Sequence, residues 1–364
     1  MAAIRQHQFE EALAERKARL MEYLAKDPRK ALFVPEDIHD AVYSYITAGG
    51  KTLRPCLLLL SCGAVGGDER SALPAAMAVE LFHTWTMVHD DIMDRDEFRR
   101  GHPTVHEDFR RRADGRNGYT PDEAKHYGVS IGIMTAEVQH GWAISLMSEM
   151  YDPEKQNADV VIKLIRHLET DILLALVGGQ TVDIQNSKVP IESLKEEDVL
   201  DVLWRKTGAL IQYSGMAGAM IGLNTDDTNH PLVKAVGTFT SECGVAFQLK
   251  DDILGIVGDE KKLGKPVGSD IKEGKRTAIL THAFQQASQP ERNVLLNVVG
   301  NTDALDKDVQ EVKELLQALG GVAHAEALAA RRIETAMMNL DILPASNHRD
   351  LLASWAEYLI GRTY

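Results

Sequence analysis

The sequence contains no long apolar run. No stretch of about 18 apolar residues occurs among its 364 residues, so no membrane-spanning helix is predicted. The N-terminal segment MAAIRQHQFEEALAERKARL is charged and amphipathic, and it lacks the apolar core of a secretory signal peptide. Basic residues are fewer than acidic ones, since the sequence contains 40 Lys and Arg but 54 Asp and Glu, which gives a net charge of −14. This balance argues against a nucleic-acid-binding protein.

Cysteine is scarce. Cys56, Cys62 and Cys243 are odd in number and form no CxxC pair, which argues against a disulfide framework. Unpaired thiols fit a reducing compartment, and buried apolar positions are the default prediction for all three. With no export signal and no membrane span, we expect a soluble cytoplasmic protein.

Strand patterns are almost absent. Apolar residues instead recur at three- and four-residue spacing, as in EEALAERKARLMEYLA and ADVVIKLIRHLETDILLALVGGQ, which is typical of amphipathic helices. The 12 prolines fall mostly at helix edges or in loops, and no low-complexity linker divides the chain. The sequence therefore predicts an all-α protein with a single large domain over residues 1–364. The Gly-rich, aperiodic stretch at 110–128 is predicted to be a surface loop.

One short stretch concentrates charge at the end of an apolar helix pattern: HDDIMDRDEFRRGHPTVH, residues 89–106. At about 100° per residue, Asp90 and Asp94 lie only about 40° apart on the helix face, with Asp91 to one side. Carboxylates this close repel one another unless cations neutralise them. Oxygen ligands suit Mg²⁺, which binds one or two carboxylates and completes its shell with water and phosphate. A solvated acidic face is the alternative, and the apolar approach makes it the poorer explanation.

A second acidic pair, Asp251 and Asp252, ends the apolar pattern GVAFQLKDDILG. A lysine-rich stretch that includes Lys265 and Lys275 follows it. Carboxylates and lysines together fit a metal-bridged polyphosphate, because lysine supplies point charge to oxygens that the metals leave free. A mixed-charge surface loop would explain the lysines but not the aspartates.

Three shorter segments are weak signals by themselves. In AGGKTLRP (48–55) the glycines allow close backbone approach, and Lys51 and Arg54 are placed to grip an anion. A helix start with two solvated cations fits that segment equally well. LVGGQTVDIQ carries Asp183, and WRKTGALI carries Lys206 and Thr207.

In this order the segments resemble the all-trans isoprenyl diphosphate synthases, the polyprenyl synthetase family. DDIMDRDEFRRGHPTVH is similar to that family's first aspartate-rich motif and FQLKDDILG to its second, while GGKTLRP, GQTVD, KT and GKPVGSDIKEGK complete the set. The resemblance spans about residues 45 to 280. It implies an isoprenoid-synthase-like helical bundle around a central catalytic cavity, and a homodimer. It also implies Mg²⁺ as cofactor, with three ions when substrate is bound and Mn²⁺ as the alternative metal.

The resemblance also implies roles for individual residues. The expected metal ligands are Asp90, Asp94, Asp183 and Asp251, and Asp91 and Asp252 complete the two catalytic acid pairs. The residues expected to hold the allylic substrate are Arg99, Lys206 and Lys265 at the diphosphate and Thr207 and Gln248 beside the reacting carbons. Lys275 is expected to bind substrate as well. The residues expected to hold the diphosphate of isopentenyl diphosphate are Gly50, Lys51, Arg54, His83 and Arg100.

The family's chemistry accounts for the clustered charge. Breaking an allylic C–O bond leaves a carbocation and a diphosphate, and metal ions with cationic side chains stabilise the departing negative charge. The double bond of isopentenyl diphosphate then attacks the cation and adds five carbons. Trp85 and Thr86 lie five and four residues before Asp90, where a bulky side chain shortens the channel for the growing tail. We expect a C20 product, with C15 or a slightly longer chain as the alternative; ordinary core packing is the other explanation of Trp85.

Three competing functions are weaker. A class I terpene cyclase also uses DDxxD and Mg²⁺, but its second motif of the N-D-x-x-S-x-x-x-E kind is absent here. A non-catalytic regulatory subunit would be expected to have lost part of an aspartate motif, whereas both acidic clusters are present. A generic helical scaffold leaves those clusters unexplained. The main departure from the family pattern is Gly255, which stands where many members have the third aspartate of the second motif.

Overall fold

The structure, a computed structural model, describes residues 2–115, 118–258 and 268–361. It is 79% helical, which confirms the all-α prediction. A single strand pair occurs in the described ranges, where β1 (Phe98–Arg99) runs antiparallel to β2 (His102–Pro103). None of the described helices combines the length and the apolar composition that crossing a bilayer requires. All three cysteines are buried and free, as predicted.

The helices follow one another with short connections. Those up to the middle of the chain are α1 (Ala2–Ala25), α2 (Glu36–Thr47), α3 (Leu53–Ala64), α4 (Leu73–Asp94), α5 (Val105–Asp114), α6 (Pro121–Ser148), α7 (Ala158–Arg166), α8 (Leu173–Asn186) and α9 (Glu196–Leu203). Those that follow are α10 (Ala209–Leu223), α11 (Pro231–Val257), α12 (Ser269–Glu273), α13 (Ala278–Gln286), α14 (Gln289–Val298), α15 (Asp306–Ala318), α16 (Gly321–Leu340) and α17 (Asn347–Ile360). Short 3₁₀ helices occupy Pro28–Leu32, Glu69–Ala72 and Ile191–Ser193, and π-helical turns occupy His167–Ile172 and Trp204–Gly208.

The chain divides into two compact units, the first of which contains the residues up to Ile165 together with Ala217–Asp226. Its core is built on α3 and α4, where residues 56–60 and 75–79 are fully buried. α4 packs along α6, and both are apolar on several faces, as expected for helices buried on more than one side. The charged end of α4 is thereby held by a rigid, buried helix.

The second unit contains Arg166–Met216 and the residues from Asp227 onward. Here α11 is the central element and packs mainly against α16. One apolar cluster joins α11 to α9 and α16, through residues such as Val199, Leu249 and Leu328. A second cluster lies among α13, α14 and α15. The prediction of a single domain over residues 1–364 stays a prediction.

The predicted surface loop at 110–128 is wrong in its extent. α5 continues to Asp114 and α6 begins at Pro121, so most of that stretch is helical. The N-cap Thr120 and Glu123 form a capping box, and Pro121 opens the helix, which is a strong helix-start signal. Gly128 sits where α6 crosses α5, because a Cβ there would lie 2.1 Å from the carbonyl oxygen of His106. The glycine marks close helix packing, not a loop.

Candidate active site

The first aspartate-rich motif occupies the last turn of α4. Asp94 ends the helix, and Arg95 follows it in the left-handed conformation, with φ of 60°, which turns the chain toward β1. The three aspartates differ clearly in how much of their side chains solvent reaches. The side chain of Asp90 is 35% exposed and that of Asp91 is 1% exposed, while Asp94 is exposed. Asp90 and Asp94 therefore present carboxylates at the surface of this unit, and Asp91 faces the interior.

Asp91 is the anchor of a buried polar cluster. The Arg99 guanidinium donates from Nε to both carboxylate oxygens, at 2.8 and 2.9 Å, and its Nη2 also bonds Oδ1. The hydroxyl of Tyr45, on α2, donates to Asp91 Oδ2 and accepts from the Val105 N–H at 3.2 Å. Burial opposes the charge on Arg99, but its hydrogen bonds to Asp91 outweigh that effect and raise its pKa. The cluster fixes the end of α4 to α2 and to the segment that follows it.

The residues predicted to bind the second diphosphate lie together in the same unit. Arg54 Nη1 donates to His83 Nε2 at 3.1 Å, and because arginine only donates, the imidazole accepts at Nε2. Burial lowers the pKa of His83 well below its usual range, so the ring is neutral. Arg100 Nη1 donates to the Gly49 carbonyl at 2.6 Å, and Lys51 is exposed.

A half-buried carboxyl, that of Glu80, accompanies these cations. Burial raises its pKa, and the positive charges of Arg54, Arg100 and Lys17 partly offset that shift. Glu80 was missed from the sequence, although a glutamate inside the apolar run AAMAVELFHTW was a readable signal. Tyr45 was also missed, because nothing in its local sequence distinguishes it from an ordinary aromatic residue of the core.

The residues predicted to limit chain length lie on the buried face of α4. Trp85 is 8% exposed and its ring contacts three others: Phe82 at 4.9 Å between centroids, His140 at 5.3 Å and His89 at 5.4 Å. The Trp85 Nε1 atom is buried and has no hydrogen-bond partner among the described residues. Thr86 donates to the His83 carbonyl at 2.7 Å. Trp85 is therefore packed in an aromatic cluster about one and a half turns before Asp90.

In the second unit, Lys206 and Asp183 form an ion pair, with Nζ and Oδ2 2.6 Å apart. Lys206 lies on the π-helical turn Trp204–Gly208. The turn packs against α8 at Gly179, where a Cβ would lie 2.5 Å from Arg205 Cβ. A π-helical turn adds a residue to the helix and redirects its side chains, a feature often found at functional sites. Lys206 and Asp183, each a weak signal in the sequence, are thus in direct contact in the structure.

Thr207, Gln248 and Asp252 form a hydrogen-bonded chain. Thr207 Oγ1 donates to Gln248 Oε1 at 2.9 Å, and Gln248 Nε2 lies 3.4 Å from Asp252 Oδ1. Asp252 is 4% exposed, and burial raises its pKa to about 7, an effect that the charge of Lys275 partly offsets. Its neighbour Asp251 is half-buried on the same helix. The second acidic pair therefore divides, like the first, into a more exposed and a buried carboxyl.

Lys275 is paired with Asp270, with Nζ and Oδ1 3.0 Å apart. Burial opposes its charge, but the two aspartates Asp270 and Asp252 outweigh burial and raise its pKa. Asp270 also lies against Gly255, since a Cβ at that glycine would be 3.1 Å from its Oδ2. Asp270 was not singled out from the sequence, although it lies inside GKPVGSDIKEGK. Lys265 lies outside the described residues.

The exposed carboxylates fit a magnesium site that is completed by substrate. Both Asp90 and Asp94 offer only oxygen donors, which Mg²⁺ prefers. Across the ranges that the structure describes, no group of three or more His, Cys, Asp and Glu side chains forms a closed metal site. An ion bound here would take its other ligands from water and phosphate oxygens, which is the usual coordination of Mg²⁺ with phosphate substrates.

Comparisons with known proteins identify the family. The polyprenyl synthetase family model matches residues 36–319. A short chain isoprenyl diphosphate synthase of Methanothermobacter thermautotrophicus is 34% identical over 331 residues, 91% of this chain and 92% of that protein. The structure is similar to that of geranylgeranyl pyrophosphate synthetase from Pyrococcus horikoshii, with 33% identity and a TM-score of 0.78 over 98% of this chain and 99% of the other.

A further solved structure carries ligands. It is geranylgeranyl pyrophosphate synthase from Corynebacterium glutamicum, complexed with isoprenyl diphosphate and magnesium, with 26% identity and a TM-score of 0.82 over 97% of this chain and 98% of that one. The match of the family model covers well over half of the chain, and the whole-length relatives agree with it. The chain belongs to the polyprenyl synthetase family and is a short-chain prenyltransferase of that family.

Proposed function

We propose that the protein condenses isopentenyl diphosphate with allylic diphosphates of five to fifteen carbons and releases mainly the C20 all-trans product. The observation that carries this proposal is the difference in environment among the three aspartates at the end of α4. The pair of buried Asp91 with Arg99 fixes the helix end, while Asp94 is exposed and Asp90 is partly exposed, so both are proposed as oxygen ligands. A surface charge run would have no need of an interior anchor.

The metal ligands in this proposal are Asp90 and Asp94 of the first motif and Asp251 of the second, with Asp183 assisting. Bound Mg²⁺ would neutralise the diphosphate and stabilise the charge that leaves with it. Three ions are proposed with substrate bound, and Mn²⁺ as a substitute. The relative solved with magnesium and isoprenyl diphosphate supports the choice of metal.

Protein cations supply the remaining charge on the allylic diphosphate. Lys206, Lys265 and Lys275 are proposed to bind its oxygens as point charges. The pairing of Lys206 with Asp183 and of Lys275 with Asp270 holds both ammonium groups in place, so little reorganisation accompanies the reaction. Arg99 is proposed to contribute a charge that Asp91 orients.

The first chemical step breaks the allylic C–O bond and leaves a delocalised carbocation. Thr207 and Gln248, already bonded to each other, are proposed to lie beside the reacting carbons with their dipoles fixed. The double bond of isopentenyl diphosphate then attacks the cation, a new C–C bond forms, and a proton leaves the adduct for an oxygen of the departed diphosphate. Atoms and charge balance, because one diphosphate is released for each five-carbon addition.

The diphosphate of isopentenyl diphosphate does not leave in the reaction and needs binding alone. Gly50, Lys51, Arg54, His83 and Arg100 are proposed to hold it. Neutral His83 suits this role, because its Nε2 already accepts from Arg54 and keeps that guanidinium oriented. Product length is proposed to depend on Trp85 and Thr86, with Trp85 stacked in its aromatic cluster as a rigid floor.

Two properties remain proposals from the sequence and the family. A homodimer is proposed on the family resemblance alone. A cytoplasmic location is proposed from the three free cysteines, which suit a reducing compartment.

The deciding experiment is a product assay. Purified protein is incubated with Mg²⁺, labelled isopentenyl diphosphate and, separately, the C5, C10 and C15 allylic starters, and products are sized by chromatography. Elongation that stops at C20 is the expected result, and a stop at C15 or beyond C20 would revise only the product. Cyclic hydrocarbon from an allylic diphosphate alone would indicate a cyclase. No turnover with any starter would favour a regulatory subunit.

A further inference from the structure

The two glycine carbonyls of GGK are each held by a basic side chain from elsewhere in the first unit. Arg100 Nη1 donates to the Gly49 carbonyl at 2.6 Å, and Lys17 Nζ donates to the Gly50 carbonyl at 2.8 Å. Lys17 lies on α1, before the residues that the family model matches. It was not predicted as a site residue.

This segment needs such support because its backbone is irregular. Gly49 has φ of 81° and Thr52 has φ of 50°, so the chain passes twice through the left-handed region between α2 and α3. Each peptide is planar and trans, so an anchored carbonyl also fixes the N–H on the opposite side of the same peptide. Lys17 and Arg100 thereby set the directions of the amide N–H groups of Lys51 and Gly50. These groups belong to the segment proposed to bind a diphosphate.

Lys17 also belongs to the charge cluster of that segment. Its positive charge, with those of Arg54 and Arg100, acts on the half-buried carboxyl of Glu80. Three cations near one carboxyl leave a local excess of positive charge, in a protein whose net charge is −14. Such an excess favours an incoming polyanion.

The attachment of α1 does not depend on Lys17. The buried side chain of Arg16 donates from Nε to Glu69 Oε1 at 3.0 Å, and Arg19 Nη1 donates to Glu69 Oε2 at 2.7 Å. Two arginines therefore already fix α1 to the 3₁₀ helix Glu69–Ala72. Lys17, between them in sequence, points instead to the Gly50 carbonyl.

We propose that Lys17 is a positioning residue for isopentenyl diphosphate, acting through the Gly50 carbonyl on the backbone and cations that hold the non-reacting diphosphate. This inference rests on the proposed function. It assigns α1 a part in substrate binding, and it distinguishes the two substrates, because Lys17 contacts Gly50, one of the residues proposed for isopentenyl diphosphate.

The test compares Lys17→Met, Lys17→Arg and the control Lys26→Met. Lys26, the residue that follows α1, is exposed and pairs with exposed Glu22, with Nζ and Oε1 2.6 Å apart. Initial rates are measured with each substrate varied in turn, and binding of isopentenyl diphosphate alone is measured by calorimetry. We expect Lys17→Met to raise KM and Kd for isopentenyl diphosphate about 10-fold, the usual effect of losing a charged hydrogen bond. The KM for the allylic substrate and kcat should stay within about 2-fold.

The conservative and control variants make the result decisive. Lys17→Arg should recover most of the affinity, since it keeps the charge and a donor, and Lys26→Met should match the unaltered protein. An unchanged KM and Kd in Lys17→Met would overturn the inference while leaving the proposed function intact. Equal losses for both substrates, with a lower Tm, would also overturn it by showing a general structural role. Absence of condensation by the unaltered protein would instead refute the proposed function.

Discussion

The Arg99 guanidinium lies side-on against the carboxylate of Asp91, with Nε 2.8 and 2.9 Å from its two oxygens. The carboxylate is 1% exposed, and the guanidinium is 21% exposed. The buried hydroxyl of Tyr45 donates a further hydrogen bond to the Asp91 carboxylate. The middle member of the acidic motif is thus bonded inside the protein, whereas its neighbours at positions 90 and 94, the proposed metal ligands, are more exposed to solvent.

The first prediction concerns Asp91→Asn. The change leaves Arg99 facing a neutral amide in a buried setting, and breaking such a pair from one side is costly. We expect the free energy of unfolding to fall by about 2–4 kcal/mol, measured by urea denaturation. Activity should fall as well, because the end of α4 loses its anchor.

Asp90→Asn provides the contrast on the same turn. Its side chain is 35% exposed, and substitutions of this kind change stability by no more than about 0.5 kcal/mol. If Asp91→Asn proves as stable as Asp90→Asn, the anchoring role of Asp91 is wrong.

The second prediction concerns metal dependence. Asp90→Asn and Asp94→Asn each remove one anionic ligand while the fold is kept, so condensation should fall by at least about 100-fold. The Mg²⁺ concentration for half-maximal activity should rise, measured by titrating metal at fixed substrate. Near-normal rates with an unshifted titration in both variants would remove these aspartates from the metal site. Asp90→Ala should behave in the same way and stay folded.

The third prediction concerns product length. Trp85→Leu opens space in the aromatic cluster of α4 and should lengthen the product by one or more five-carbon units, as read by chromatography. The matched control is Trp142→Leu, since Trp142 is 3% exposed in the same unit and donates from Nε1 to Asp27 at 2.7 Å. Both variants should lose about 2–4 kcal/mol of stability, but only the first should change the product. An unchanged product in Trp85→Leu would return Trp85 to ordinary core packing.

The fourth prediction concerns acid stability. Hydrogen bonds from Arg110 and then Arg111 lower the pKa of buried Glu107 to about 2, against the usual 4.5. A depressed pKa stabilises the folded state above the unfolded value, so this contribution is present above about pH 4.5 and is lost as pH falls through about 2. Because both arginines are partly exposed, we expect Glu107→Gln to cost about 1–2 kcal/mol at pH 7.

The measurement is urea unfolding of both proteins between pH 7 and pH 2. The gap in stability between the unaltered protein and Glu107→Gln should close as the pH falls from about 5 to about 2. Glu22→Gln, in an exposed pair with Lys26, should leave the free energy of unfolding unchanged. A gap that stays constant with pH would show that Glu107 acts through packing and not through its charge.

Most of the helical framework was predictable, and the errors have local causes. Apolar spacing marks α4 and α11 because both bury apolar residues at helical intervals. The same criterion misplaced the loop at 110–128, because the end of α5 is a charged run in which only Ala113 continues the buried stripe of Val105 and Phe109. The capping signal at Thr120–Glu123 was present in the sequence, and it outweighs low periodicity as an indicator of a helix start.

The residues of the candidate site could be predicted from the sequence, but most of their contacts could not. Motif order identified the aspartates and the chemistry expected of them, and the family comparisons confirmed the family. Sequence spacing put Asp90 and Asp94 on one face, but it could not say that Asp91 is paired with Arg99 and Tyr45. Nor could it show that Lys206 bonds Asp183, because the two lie on different helices.

The sequence by itself determined an all-α chain, the position of its first acidic motif at a helix end, though not that of the second, which lies inside α11, and the family to which those motifs belong. These depend on local periodicity and residue type, which any stretch of chain carries with it. Only the tertiary structure decided which carboxylates are buried, which cations already have partners and that Lys17 reaches the Gly50 carbonyl, 33 residues away. Such contacts depend on how helices pack against one another, and packing brings together residues whose separation along the chain carries no signal of their meeting.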